Sequence, residues 1–331
     1  MKIAVVFTGG TIGSSAGEDG LFNVDQKKRY RLLEMFREEK KDTDVEFETF
    51  EPYLTLSEHL NGDYIQKLID CVGELADKAY DGIIVTHGTD TLQYSAAALG
   101  YAFGNDSIPI VLVSSNYILE DERMNGLANF IGAVDFIKCQ GGRGTFVSYK
   151  NTGETTKIHR GTRLRFHATY EDAVESIGNR WYGNIQNGSF EKNPAYQEET
   201  DAASCLKKCW SGETSRVQML IAYPGIDWNT VSFECDALLL QCYHSGTLNT
   251  KNKAMKRWME QAKEKQLPVY LVGINEKVAY ESGKVYEELG VLILPTIAPI
   301  AAYVKIGMAI ASGCDLSEAV FGSLAGDVVE I

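Results

Sequence analysis

Short apolar runs rich in β-branched residues recur through the first half of the chain, at residues 2–7, 82–85, 108–113 and 144–148, each followed by a polar or glycine-bearing loop. They read as strands. Between them lie longer patterns. Leu60, Tyr64, Ile65, Leu68 and Val72 recur at three- and four-residue spacing, as do Met124, Leu127, Phe130, Ile131 and Val134, the stripe of a helix that covers a sheet. Strands alternating with helices predict a mostly parallel sheet. From about Trp181 to Thr214 the pattern dissolves into Gly, Asn, Ser, Lys and Glu with Pro194 inside it, which reads as a linker. Residues 216–222, 237–240, 269–272 and 291–294 then read as buried strands, interleaved with helical stretches at 252–265 and 300–311. The expected organisation is α/β throughout. A larger N-terminal domain spans 1–190, a linker 191–214 and a smaller α/β domain 215–331. No internal repeat is present.

Length agrees with two domains, since 331 residues exceed what one core usually serves. The formal net charge of −13 would repel a phosphate backbone, so nucleic acid is a poor partner. The apolar stretch after Met1 is too short for a signal-peptide core, and no segment approaches the ~20 apolar residues that cross a bilayer. A cytoplasmic protein with no membrane contact is expected. Seven cysteines form an odd, scattered set, read as reduced thiols. Cys205 and Cys209 have no second pair to complete a four-ligand zinc site, so no metal is expected.

Two loops carry candidate chemistry because each leaves the carboxyl end of an expected strand, where open α/β sheets hold ligands. In Thr8-Gly9-Gly10-Thr11-Ile12-Gly13 the paired glycines permit a tight turn and a close backbone approach, presenting Thr11 with N–H groups nearby. The spacing misses both Gly-x-Gly-x-x-Gly and the Gly-Lys-Ser/Thr phosphate loop. In Thr86-His87-Gly88-Thr89-Asp90-Thr91 a hydroxyl and a carboxylate stand side by side. Taken alone, that pair serves equally well as a helix N-cap, and His87 reads as a structural histidine.

Together the two loops resemble the signature segments of the bacterial-type L-asparaginase/glutaminase family. The likeness extends to Tyr53-Leu54-Thr55-Leu56-Ser57-Glu58-His59-Leu60, similar to its substrate-binding segment. It continues through Asn125-Gly126 and Asn129 to Tyr223-Pro224-Gly225-Ile226 and the stretch 286–291, similar to the cytoplasmic subtype. The resemblance implies a two-domain asparaginase-like fold and hydrolysis of the side-chain amide of L-asparagine, or a related small amide, to a carboxylate and ammonia. Thr11 would be the nucleophile and Thr89 a second hydroxyl that relays a proton or orients water. Asp90, with Glu58, would meet the substrate ammonium, and Ser57 its α-carboxylate. Gly10, Gly88 and Ser115 would line the pocket, and N–H groups near Thr89 and Ser115 would receive the oxyanion. Threonine chemistry needs no metal or organic cofactor. The resemblance further implies a homodimer or homotetramer.

The chain departs from the family at several places. The family's lysine beside Thr89 and Asp90 has no counterpart in Gly161-Thr162-Arg163-Leu164-Arg165-Phe166-His167, where Arg165 is the expected stand-in. A guanidinium stays charged, so Arg165 could hold Asp90 but could not act as a base. The flap over residues 17–24 has Leu21 near the place of the usual tyrosine, with Tyr30 the nearby substitute. Asn125 stands for an aspartate, and Tyr243-His244-Ser245-Gly246 for a Gly-Asn-rich turn. Two alternatives follow: a weak or silent homologue that binds an amino acid or related ligand, or a hydrolase for a different amide.

Overall fold

The computed structural model describes residues 1–10, 12, 14–16, 22–24, 29–41, 44–105, 107–198, 201, 204, 206–210, 216–274 and 280–330. Strand β1 (Lys2–Phe7) leads to a small hairpin, β2 (Ser14–Ala16) and β3 (Phe22–Val24), then to α1 (Arg29–Glu39) and β4 (Glu46–Phe50). Helix α2 (Gly62–Ala76), β5 (Gly82–Thr86), α3 (Leu92–Phe103), β6 (Ile110–Val113), α4 (Gly126–Lys138) and β7 (Thr145–Tyr149) follow. The strands pair in the order β4-β1-β5-β6-β7, all parallel.

Alternation explains how this sheet is buried. Ile3, Val5 and Phe7 point into one apolar cluster with Phe36 of α1 and Phe130 of α4. Ala4 and Val6 point into the other, with Leu68 of α2 and Leu99 of α3. Successive side chains of a strand face opposite ways, so a continuous apolar run is what a two-faced core demands. Asn61 caps α2, its side chain accepting from the Tyr64 N–H at 3.1 Å. β4 escapes the sequence reading because Glu46 and Glu48 alternate with Phe47 and Thr49 at the edge of the sheet.

Strands β8 (Thr156–Arg160), β9 (Gly183–Gln186) and β10 (Ser189–Lys192) extend the sheet antiparallel beyond β7. This corrects the linker expected from Trp181, since β9 and β10 lie inside it. Their signal was present: Asn187 and Gly188 both take positive φ, 52° and 77°, as the two-residue turn of a tight hairpin requires.

The second sheet is wholly parallel, with β11 (Val217–Ile221), β12 (Ala237–Gln241), β13 (Val269–Val272) and β14 (Leu292–Ile293) in sequence order. Helices α5 (Lys253–Glu264), α6 (Glu281–Glu288), α7 (Pro299–Ser312) and α8 (Leu316–Ala319) accompany it. Leu238 and Leu240 meet Trp258 of α5 and Tyr286 of α6, while Leu239 joins α7 in the first apolar cluster. Helix α7 packs on α3, so one core continues through both sheets' inner helices. At this junction Lys305 Nζ lies 2.8 Å from Asp327 Oδ2, both side chains fully buried, and Tyr101 of α3 donates to the same carboxylate oxygen at 2.8 Å. Residues 325–328 return to the large sheet. Arg163 Nε donates to the Gly326 carbonyl at 2.6 Å, and Thr162 Oγ1 and Arg160 Nε both donate to that of Ala325.

Cys71, Cys139, Cys209, Cys235 and Cys242 are free, but Cys314 is disulfide-bonded. That corrects the all-thiol expectation, because spacing along a chain does not show which cysteines the fold brings together. Among the described residues no helix is long and apolar enough to cross a membrane.

Candidate active site

Strand order 4-1-5-6-7 places β1 between its sequence successors, so chain connections leave β1 and β5 toward opposite sides. The crevice beyond their carboxyl ends is where such sheets bind ligands. Both candidate loops open there, joined by a third from β4. Gly10 N–H donates to the Thr55 carbonyl at 3.1 Å, and Thr55 N–H donates to the Thr8 carbonyl at 3.0 Å. Glycine is required where loops touch. A Cβ on Gly10, which holds φ +77°, would stand 2.4 Å from Gly88 Cα, and one on Gly88 would stand 2.4 Å from Ser57 Cβ. Gly10 and Gly88 therefore act by letting backbones close up. Thr11 and residues 17–21 of the flap lie outside the described residues.

This closeness brings Ser57 to Asp90, with Ser57 Oγ donating to Asp90 Oδ2 at 2.8 Å. Thr91 occupies the N-cap position of α3 without a capping side-chain bond, its Oγ1 donating to the Ser57 carbonyl at 3.1 Å. The Asp90 carboxylate thus accepts from Ser57 while remaining exposed. Thr89 Oγ1 donates to the Ser115 carbonyl at 3.2 Å. Ser115 itself is buried, with Oγ donating to the Tyr117 carbonyl and accepting from Gly126 N–H. Its hydroxyl is taken up in holding the start of α4, so its part is to support Thr89. Glu58 is exposed on the short helical turn Ser57–His59 and does not line the cleft described next.

Ser57, Thr89 and Asp90 form one wall of a cleft of about 700 Å³ whose opposite side is the segment Phe166–Asp172. Arg165, expected beside Asp90, is not among the lining residues. Its exposed guanidinium pairs with Glu175, and it borders a separate hollow with Gln241 and His244. The segment is extended there, with Leu164 bridging Ser176 and Arg165 N–H bonded to the Glu175 carbonyl, so neighbouring side chains take opposite sides. Leu164 and Phe166 turn inward while Arg165 turns out. No lysine or arginine lines the cleft among the described residues.

Several unexpected groups do line it. Gln93 donates through Nε2 to the Asp90 carbonyl at 3.1 Å, leaving Oε1 buried and without a hydrogen-bond partner. Asn116 is held by Tyr149, whose hydroxyl also lies 2.7 Å from Asp172 Oδ1. Asn125 accepts from Asn116 N–H at 3.2 Å, positioning the same loop. His167 is half-buried with Nε2 unpartnered. Burial lowers its pKa, while Asp90 and Asp172 pull in the other direction. None of these residues sits in a recognisable motif, and alternation through residues 164–167 was the one signal that could have found His167. His87, by contrast, is wholly buried between the Gly88 carbonyl and Ser95 Oγ, each at 2.8 Å, and burial lowers its pKa to about 4.

Comparison with known proteins agrees with this architecture. The thermostable L-asparaginase of Thermococcus kodakarensis superposes with a TM-score of 0.83 over the whole of both chains, at 22% identity. L-asparaginase I of Vibrio cholerae gives 0.80 over 99% of each chain, also at 22% identity. At that identity the likeness concerns the fold. Among curated relatives, a Glutamyl-tRNA(Gln) amidotransferase subunit of Methanosarcina acetivorans is 26% identical over 99% of this chain and 79% of its own. Its counterpart from Metallosphaera sedula is 25% identical over 96% and 74%. The family model described as Asparaginase, N-terminal matches residues 2–197, the stretch that contains both glycine loops, Ser57 and the whole large sheet. With that match over more than half its length, the chain belongs to the asparaginase family.

Proposed function

We propose that this protein is an amidohydrolase that converts the side-chain amide of L-asparagine, or of a related small amide, to a carboxylate and ammonia. The observation that carries this reading is the convergence of the β1, β4 and β5 loops, which sets Ser57 2.8 Å from Asp90 and puts Thr89 on the same wall. Asp90, exposed in the cleft, is the counter-charge for a substrate ammonium. Ser57 offers a neutral hydroxyl for its carboxylate and orients Asp90 meanwhile. Thr89 relays a proton or orients water. Family resemblance makes Thr11 the nucleophile, attacking the amide carbon to form an acyl-enzyme that water then hydrolyses. This chemistry calls for no metal or organic cofactor.

The test is ammonia release from L-asparagine, L-glutamine and a panel of ω-amides, with Thr11→Ala in parallel. Loss of a nucleophile of this kind costs on the order of 1,000-fold in kcat or more. Turnover by the wild type that Thr11→Ala retains would sink the threonine mechanism. A second reading, a weak or silent homologue that binds its ligand without turnover, is favoured by the lack of any lysine or arginine lining the cleft among the described residues. Tight binding of L-aspartate with no ammonia from any amide would select it. The curated relatives are named as amidotransferase subunits, which makes a protein partner a further proposal alongside a homodimer or homotetramer. With a net charge of −13, contact with a nucleic acid would fall to that partner rather than to this chain.

A further inference from the structure

Hydrolysis of an amide needs a group that takes a proton from the attacking hydroxyl and hands one to the leaving nitrogen. Among the described residues that line the cleft, the carboxylates are Asp90, Glu171 and Asp172. Asp90 accepts from Ser57, and Asp172 from Tyr149. Glu171 is exposed to water. The other titratable groups facing the cleft are the phenols of Tyr94, Tyr117 and Tyr170, ordinarily protonated near neutrality. His167 is left. Its Nε2 is buried and has no partner, in the cleft that Thr89 and Asp90 share.

We propose that His167 is the proton acceptor and donor of this cleft, working through Nε2. The inference rests on the amidohydrolase reading above. As the attacking hydroxyl oxygen bonds to the amide carbon, its proton passes to Nε2. The same proton goes to the amide nitrogen as the C–N bond breaks and ammonia leaves. Water then attacks the acyl carbon, giving one proton to Nε2, which returns it to the threonine oxygen as the ester C–O bond breaks. Burial keeps the imidazole neutral near pH 7, the form that accepts a proton. Asp90 and Asp172 stabilise the imidazolium once it forms.

The experiment measures kcat and KM on the best amide of the panel for the wild type, His167→Gln and His167→Ala, across pH and with added imidazole. The expected result is a fall of about 100-fold or more in kcat for His167→Gln, with KM changed less than about threefold. The acid limb of the wild-type kcat/KM profile is lost in that variant. Added imidazole restores part of the turnover of His167→Ala, in proportion to its unprotonated fraction. Wild-type kcat in His167→Gln overturns the inference and leaves the amidohydrolase reading standing. So does a His167→Ala variant that binds the amide, releases no ammonia and ignores imidazole. A wild type that hydrolyses no amide removes both together. A measurement independent of turnover, NMR titration of the His167 ring, is expected to show a further lowered pKa in Asp90→Asn, and an unchanged value counts against the coupling.

Discussion

At the scale of single residues, the buried histidines make stability depend on pH in a defined direction. Burial lowers the pKa of His87 to about 4 and of His159 to about 3, whereas an unfolded histidine titrates near ~6.5. Between those values the unfolded chain binds more protons than the native one. Their contribution is therefore whole above about pH 6.5 and is lost as pH falls toward 4 and then 3. By pH 5 each would have given up roughly 2 kcal/mol. Urea unfolding at pH 7.5 and 5.0 should show this loss, and His159→Gln should reduce it. An undiminished slope in that variant would assign the effect elsewhere. The neutral His87 bonded to the Gly88 carbonyl fixes the residue that Ser57 packs against, so a buried, inert histidine helps to place a reactive pair.

At the scale of elements, the site depends on loops that approach without side chains between them. Gly88→Ala would push a methyl into Ser57 and turn its hydroxyl from Asp90, with an expected rise in KM of about tenfold and a small loss of Tm. Gly10→Ala meets backbone rather than a side chain, at positive φ, and should cost several kcal/mol in unfolding measurements, on the order of the steepest single substitutions. Equal behaviour of the two variants would contradict this division. The same loops were the most legible part of the sequence, because a strand followed by paired glycines constrains backbone and position together. The segment 164–167 was not legible in the same way. In extended chain a shift of one residue exchanges inside for outside, and charge alone suggested Arg165 where Phe166 and His167 face the cleft. β4 and the β9–β10 hairpin were missed because edge and antiparallel strands carry polar residues that buried parallel strands exclude.

At the scale of the whole molecule, the two sheets are joined by a charged pair as well as by apolar packing. Lys305 and Asp327 are both fully buried, and Tyr101 reaches across from α3 to the same oxygen. Removing one partner leaves an uncompensated charge, so Lys305→Met should destabilise by about 3–5 kcal/mol. A double-mutant cycle with Asp327→Leu should return a coupling of about 1 kcal/mol or more. Independent, additive losses would mean that the pair does not join the two sheets energetically.

The carbonyls of Ala325 and Gly326 that receive hydrogen bonds from Arg160, Thr162 and Arg163 have a consequence for how the chain is made. The ribosome delivers residues 160–163 well before their acceptors. At roughly 5–20 residues per second, the larger sheet waits on the order of ten seconds with donors that need partners for burial. Its final closure is thus a late event of synthesis, governed by sequence far downstream. A ribosome-bound chain arrested before residue 325 should be open to proteases around Arg163, and release of the full chain should protect it.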